Sequence, residues 1–120
     1  MIGPVYSRGA GKDLVLGVRA ERKHCNLRGT VHGGMLATLA DIALGYSLAF
    51  STEPPTGAVT TNLTLDFIGA ANSGDWLETA IEFQKLGKRV GFANCYISAE
   101  GTRVVRASAV SLVNGKLGQG

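Results

Sequence analysis

Two segments in the second half of the chain alternate between hydrophobic and polar residues. In 60–68 the odd positions from Leu63 to Phe67 are apolar, and in 76–85 the odd positions up to Phe83 form the predicted buried side. A period of two is typical of a β-strand with one buried face. Each segment therefore predicts a strand with one side in the core and one side in solvent.

Three further segments predict the rest of a sheet. The segments 89–98 and 102–113 are rich in valine, alanine and aromatic residues, and 13–21 is a shorter strand near the N-terminus. Short glycine-containing turns at 86–88 and 100–101 predict that the last three strands are joined as antiparallel hairpins. The four strands after residue 57 are expected to form a meander.

The run 33–51 is the one good helix candidate. Leucine, methionine and alanine dominate it, and apolar residues appear on every side, so we expect the helix to be buried nearly all round. The pair Pro54–Pro55 ends it, because proline cannot continue the helical hydrogen bonding. The sequence therefore predicts the order strand, helix and four strands.

This order predicts an α+β fold in which a curved antiparallel β-sheet wraps around one long central helix. The 120 residues are expected to form a single domain, 1–120. A lone sheet of this size leaves edges and one face uncovered, so we expect a homodimer.

Composition excludes several classes of protein. The net charge of +3 suits a polyanionic small ligand but is too weak to indicate nucleic-acid binding. No signal peptide is apparent at 1–4, and the apolar run 33–50 is too polar to span a membrane. Cys25 and Cys95 lack the CxxC spacing and are expected to be free thiols, which indicates the cytoplasm.

Asp41 is the only charged residue between His32 and Glu53. Burying an unpaired carboxylate costs several kcal/mol, so the chain must either expose Asp41 to a cleft or pair it. A structural ion pair with an arginine such as Arg28 is the alternative to a catalytic role.

A cluster of chemically capable residues precedes and includes Asp41. Asn26, His32, Gly33, Gly34 and Asp41 lie within sixteen residues, and the glycines fall where the loop enters the helix. The first N–H groups of a helix have no intrahelical partner and favour negative charge, so this end could polarise a carbonyl. The glycines could also be a simple helix-entry turn, and His32 could be a structural histidine.

Helix geometry constrains any joint use of Gly33 and Asp41. They are eight residues apart, which corresponds to about 12 Å of helix rise. A catalytic base must lie within hydrogen-bond reach of the reacting group or one water away. If both residues act on one carbonyl, Gly33 of one subunit must face Asp41 of another.

The string Asn26-x5-His32-Gly33-Gly34-x6-Asp41 resembles the hotdog-fold acyl-CoA thioesterases, specifically the phenylacetic-acid-pathway and 4-hydroxybenzoyl-CoA group. The resemblance extends from about residue 3 to residue 113 and agrees with the predicted order of elements. It implies hydrolysis of an acyl-CoA thioester to the free acid and coenzyme A, without a metal or redox cofactor, in a homodimer that pairs further into a dimer of dimers.

The resemblance also implies a role for each matching residue. The Gly33 N–H polarises the thioester carbonyl beside Gly34, and Asp41 of the other subunit acts as general base or nucleophile. Asn26 orients water or substrate, and His32 fixes the loop and the thioester end.

Two features of the resemblance concern substrate binding. Members often carry a serine or threonine early in the strand after the helix, but the aligned position here is Ala58, which leaves Thr60 as the candidate hydroxyl. Basic residues in the last hairpins would bind the coenzyme A nucleotide, although by default such residues are solvated strand charges. These basic residues are Lys88, Arg89, Arg103 and Arg106.

Other functions remain open at the level of the sequence. The domain could bind acyl-CoA without catalysis, or it could be a hotdog hydratase or dehydratase. A thiol nucleophile at Cys25 beside His24 is disfavoured because adjacent residues of an extended segment point apart. A metal site from His24, Cys25 and His32 lacks ligand spacing.

Overall fold

The computed structural model describes residues 4–116, a six-stranded sheet and one long helix. The absence of a signal peptide was predicted from residues 1–4, which lie mostly outside this range. Two short 3-10 helices, Gly11–Asp13 and Arg22–His24, flank the second strand. The elements are β1 (Tyr6–Arg8), β2 (Val15–Arg19), α1 (Gly33–Ala49), β3 (Thr56–Phe67), β4 (Trp76–Leu86), β5 (Val90–Ala99) and β6 (Thr102–Lys116).

The sheet is antiparallel throughout and has the strand order β1-β2-β4-β5-β6-β3. The predicted hairpins β4–β5 and β5–β6 are confirmed, and so is the α+β architecture. The predicted four-strand meander is wrong, because β3 pairs with β6 at the far edge of the sheet and β2 pairs with β4. Strand β1 was not predicted, because its three residues are too few and too exposed for a periodic pattern.

Helix α1 packs one face on the sheet. Leu39, Ala40 and Leu44 are fully buried there, whereas Asp41 and Tyr46 on the other face are exposed. The prediction that the helix is buried nearly all round is therefore wrong for a single chain, since the sheet covers only one of its sides. No helix in residues 4–116 is long and apolar enough to cross a membrane.

A β-bulge changes the alternation of β4. Ile81 lies opposite Cys95 and Phe83 lies opposite Asn94, so Glu82 is an extra residue in the ladder. The bulge turns Phe83 to the outer face, where its side chain is 55% exposed. The prediction that Phe83 is on the buried side is therefore wrong, because alternation in a sequence does not reveal a one-residue insertion.

Candidate active site

The first residues of α1 present free backbone donors to solvent. His32 is the N-cap, and the helical hydrogen bonds begin with the Met35 N–H, which donates to the His32 carbonyl at 3.1 Å. The N–H groups of Gly33 and Gly34 precede this ladder, and both residues are exposed. This end of the helix can therefore donate hydrogen bonds to a carbonyl oxygen or an oxyanion.

A close aromatic neighbour explains why glycine occupies position 33. A Cβ atom built on Gly33 would lie 3.2 Å from the Cζ atom of Phe67, which is tighter than ordinary packing. The Phe67 ring is 56% exposed and stands beside the start of the helix. The alternation in 60–68 predicts Phe67 on the inward side of β3 but does not reveal this contact, because Gly33 and Phe67 are 34 residues apart in the sequence.

The loop that leads to Gly33 is shaped by Asn26. Its Oδ1 atom accepts hydrogen bonds from the Arg28 N–H at 2.9 Å and the Thr30 N–H at 3.2 Å. The His32 N–H donates to the His24 carbonyl at 2.8 Å, which fixes the residue before the helix. Asn26 therefore holds the loop closed, and its amide nitrogen is the group that it can present to a ligand.

Asp41 lies on the exposed face of α1 beside β3. The Thr60 hydroxyl donates a hydrogen bond to its Oδ1 atom at 3.2 Å. This neighbour is a hydroxyl rather than Arg28, so the alternative of a structural ion pair gains no support. Thr60, rather than Ala58, is the strand residue that reaches the carboxylate.

Gly33 and Asp41 remain far apart within one chain, as the helix rise requires. Both belong to α1, where eight residues correspond to about 12 Å. The structure thus shows two candidate half-sites, Gly33 with Phe67 and Asp41 with Thr60, at different levels of the same helix.

The four candidate basic residues form two groups at different ends of the sheet. Lys88 and Arg89 lie in the β4–β5 turn near Leu112, whereas Arg106 lies opposite Tyr96, about 20 Å further along β6. A single chain therefore does not bring all four residues together.

Arg103 and Arg106 each contact another side chain. Arg106 pairs with Asp66 at 2.9 Å, and this hydrogen bond raises the pKa of the guanidinium. The Arg103 guanidinium stacks on the Tyr96 ring at 3.7 Å. Both arginines are exposed, where such contacts are weak, so each can exchange its contact for a phosphate.

The thiol and metal alternatives gain no support. The Cys25 thiol donates to the Glu21 carbonyl at 3.4 Å, and the His24 Nδ1 accepts from the Glu21 N–H at 2.9 Å. Within the described part of the chain, no three His, Cys, Asp or Glu side chains are grouped to hold a metal ion.

The fold and the two half-sites define a hotdog protein with an acidic helix residue. The sequence profile of the thioesterase superfamily matches residues 28–106. The chain therefore belongs to the thioesterase superfamily.

Two relatives support this assignment. The chain is similar to the candidate esterase PA0474 of Pseudomonas aeruginosa, with 48% identity over 92% of this chain and 83% of that protein. It is also similar to acyl-coenzyme A thioesterase 13 of Mus musculus, with 28% identity over 71% of this chain and 60% of that protein.

Solved structures of similar fold confirm the hotdog architecture. A hypothetical thioesterase of Streptococcus pneumoniae with coenzyme A superposes with a TM-score of 0.85 at 22% identity, covering 95% of this chain and 91% of that chain. The PaaI protein of the Escherichia coli phenylacetic acid degradation operon gives 0.84 at 23% identity, covering 93% and 80%.

The two cysteines are expected to differ in reactivity. Burial raises the pKa of the Cys95 thiol from 9.0 to about 12, because the thiolate loses its hydration. At pH 9 the folded protein then holds only about a thousandth of Cys95 as thiolate. An aromatic disulfide reagent should titrate Cys25 in the native protein and both thiols after denaturation. Rapid native modification of Cys95, identified by peptide mass, would contradict this burial.

Proposed function

We propose that the protein hydrolyses acyl-CoA thioesters, with one complete site formed by Asp41 of one subunit and Gly33 of another. The observation that carries the proposal is the exposed Asp41 carboxylate on a helix whose own N-terminus is out of its reach. The thioesterase-superfamily match and the similarity to a coenzyme A-bound structure support the substrate class.

The helix start would bind the thioester carbonyl oxygen. The Gly33 N–H has no place in the helical ladder, and the helix dipole favours negative charge at this point. As the carbonyl carbon becomes tetrahedral, charge grows on its oxygen and the hydrogen bond strengthens. Asn26 and His32 act here as positioning residues, since they fix the loop that delivers Gly33.

Asp41 would act on the carbonyl carbon either as a general base or as a nucleophile. It either takes a proton from water, so that hydroxide adds to the carbon, or attacks directly and is later released by water. In both routes the C–S bond breaks and coenzyme A leaves as its thiolate, which then takes up a proton. The Thr60 hydroxyl holds Oδ1, so that the other carboxylate oxygen faces the substrate.

Strand β3 offers the edge at which two subunits can meet. It ends the sheet, spans twelve residues and leaves most of its side chains exposed. A long edge strand presents unpaired N–H and C=O groups that readily pair with another copy. Pairing of β3 with the partner subunit's β3 would also place the two helices side by side.

The half-sites define the register of this pairing. On β3, Thr60 contacts Asp41 and Phe67 contacts Gly33, and both side chains face the helix. To bring Asp41 close to Gly33 of the other subunit, the partner subunit's Phe67 must lie opposite Thr60. Thr61 is an extra residue in a bulge of β3. With this residue left out, seven paired positions run from Thr60 to Phe67, and Thr64 is the central one. Thr64 therefore lies opposite the partner subunit's Thr64 at the two-fold axis. All opposed residues share a face, as antiparallel pairing requires.

The same register accounts for the divided basic residues. Lys88 and Arg89 lie near the Thr60 end of their own sheet, whereas Arg103 and Arg106 lie near the Phe67 end. In the proposed dimer, Lys88 and Arg89 of one subunit come to the same end of the joined sheet as Arg103 and Arg106 of the other subunit. Coenzyme A phosphates would bind there electrostatically.

Further association into a dimer of dimers is supported by the outer sheet face. Val59, Phe83, Phe92 and Leu112 on this face are 47–55% exposed. Such an apolar patch is typical of a protein interface. We also propose that the whole chain is one hotdog domain and that it acts in the cytoplasm, where the free thiols of Cys25 and Cys95 would stay reduced.

Replacement of the proposed catalytic carboxylate should strongly reduce turnover. We expect Asp41→Asn to lower kcat by about 10²–10⁴-fold in a free-thiol assay over acetyl-, decanoyl-, palmitoyl- and benzoyl-CoA, because the amide can neither accept the proton nor attack. The melting temperature should hardly change, since Asp41 is exposed. Asp13→Asn, another exposed carboxylate outside the site, is the control. Wild-type rates for Asp41→Asn on every substrate would refute the mechanism.

The dimer register can be tested by cross-linking. In a Cys25→Ser background, Thr64→Cys should form an intersubunit disulfide on mild oxidation, because opposed residues of an antiparallel pair have Cα atoms about 4.5–5.5 Å apart. Asn62→Cys is the matched control, since position 62 would lie about 13 Å from its own copy. Cross-linking of Asn62→Cys instead of Thr64→Cys would contradict the register, and a monomeric mass would contradict the dimer.

A further inference from the structure

An apolar cavity lies on the other side of α1 from β3. Its volume is about 510 Å³, which is within the range of small-molecule pockets. The N-terminal segment and β2 form one wall, and the second half of α1 forms the other. The apolar lining comes from Val5, Leu14, Leu16, Ile42, Tyr46 and Phe50.

Asp41 and the cavity lie along neighbouring ridges of helix α1. Ile42, Tyr46 and Phe50 follow one another at intervals of four residues and form one ridge that faces the cavity. Asp41 and Gly45 form the neighbouring ridge. Gly45 has no side chain, and a Cβ atom built on it would find no other atom within 4 Å. The surface between the Asp41 carboxylate and Tyr46 is therefore open.

The distances from Asp41 to the cavity suit an acyl chain of intermediate length. Five residues from Asp41 to Tyr46 correspond to about 7.5 Å of helix rise, and nine residues to Phe50 correspond to about 13.5 Å. Phe50 packs edge to face with Tyr46, with ring centroids 6.0 Å apart, and the two side chains remain 50% and 57% exposed. The aromatic pair thus bounds the end of the cavity that is furthest from Asp41.

We propose that this cavity binds the apolar end of the acyl group, and that Gly45 is the passage by which the acyl chain reaches it from Asp41. This inference rests on the proposed thioesterase function and adds the substrate class. A medium-chain aliphatic or aryl acyl group fills the cavity, whereas an acetyl group does not reach it. Burial of the apolar end removes its methylene groups from water, which favours binding of the longer acyl group.

The test compares substrates of different length in two variants. Gly45→Leu closes the passage, and leucine is a better helix former than glycine. Ala10→Leu fills the cavity from its other wall, where the extended backbone of Ala10 accepts any side chain. Ala80→Leu, which adds the same side chain to an exposed position of β4, is the matched control.

The readout is the ratio of kcat/KM for decanoyl-CoA to that for acetyl-CoA. Wild type should favour decanoyl-CoA, Gly45→Leu and Ala10→Leu should each lower the ratio by about tenfold or more, and Ala80→Leu should leave it unchanged. If Gly45→Leu and Ala10→Leu both fold and both keep the ratio within about twofold of wild type, the inference is overturned. A change of oligomeric mass in both variants also overturns it, because the cavity would then belong to an interface between copies.

Failure of the proposed function gives a different result. A wild-type protein that hydrolyses no acyl-CoA refutes the thioesterase, and calorimetric binding then tests the cavity by itself. Tighter binding of decanoyl-CoA than of acetyl-CoA, with the difference lost in Gly45→Leu, supports the cavity as an acyl site. Equal affinity for the two ligands in wild type rejects it.

Discussion

The fixed rise of the α-helix is the constraint on which the rest of this account depends. Gly33 and Asp41 belong to one helix, so about 12 Å of helix rise separates the proposed carbonyl-binding N–H from the residue that carries the carboxylate. No rotamer can close that gap within a chain. The proposed dimer removes the difficulty, because its antiparallel arrangement would bring the start of one helix to the middle of the other. The thioesterase superfamily fold supplies both parts, and the proposed dimer joins them.

Strand β3 connects the two half-sites physically. Its Thr60 hydroxyl holds the Asp41 carboxylate, and its Phe67 ring lies against Gly33. Since the strand is also the sheet edge, any pairing of two such edges sets the distance between a carboxylate and the partner's helix start. A shift of register would turn inward side chains outward or separate the half-sites. In the proposed dimer, one strand would therefore couple the fold, the subunit interface and the active site.

The sequence predicted the features that depend on local patterns. The apolar run and Pro54–Pro55 were enough to locate α1, and the hairpins followed from their turns. Features that depend on tertiary contacts could not be predicted. The pairing of β3 with β6 and of β2 with β4 joins segments that are far apart in the sequence. The outward turn of Phe83 follows from a single extra residue in β4. The hydrogen bond to Asp41 illustrates both cases: Thr60 was a candidate by position, but only the folded sheet shows that its hydroxyl reaches the carboxylate.

Subunit mixing tests the shared site most directly. Gly33→Pro removes the proposed donor at the first helical position, and the backbone of His32 (φ −59°, ψ 138°) suits a following proline. The exposed Phe67 ring must shift by a few tenths of an ångström to make room for the added Cβ atom. Gly33→Pro and Asp41→Asn should each be inactive alone. After dissociation and random reassociation in equal amounts, half of the dimers are mixed and each holds one intact site, so about a quarter of wild-type activity should return. Mixed dimers, verified by native mass, that remain as inactive as the two parents would contradict a site shared between subunits.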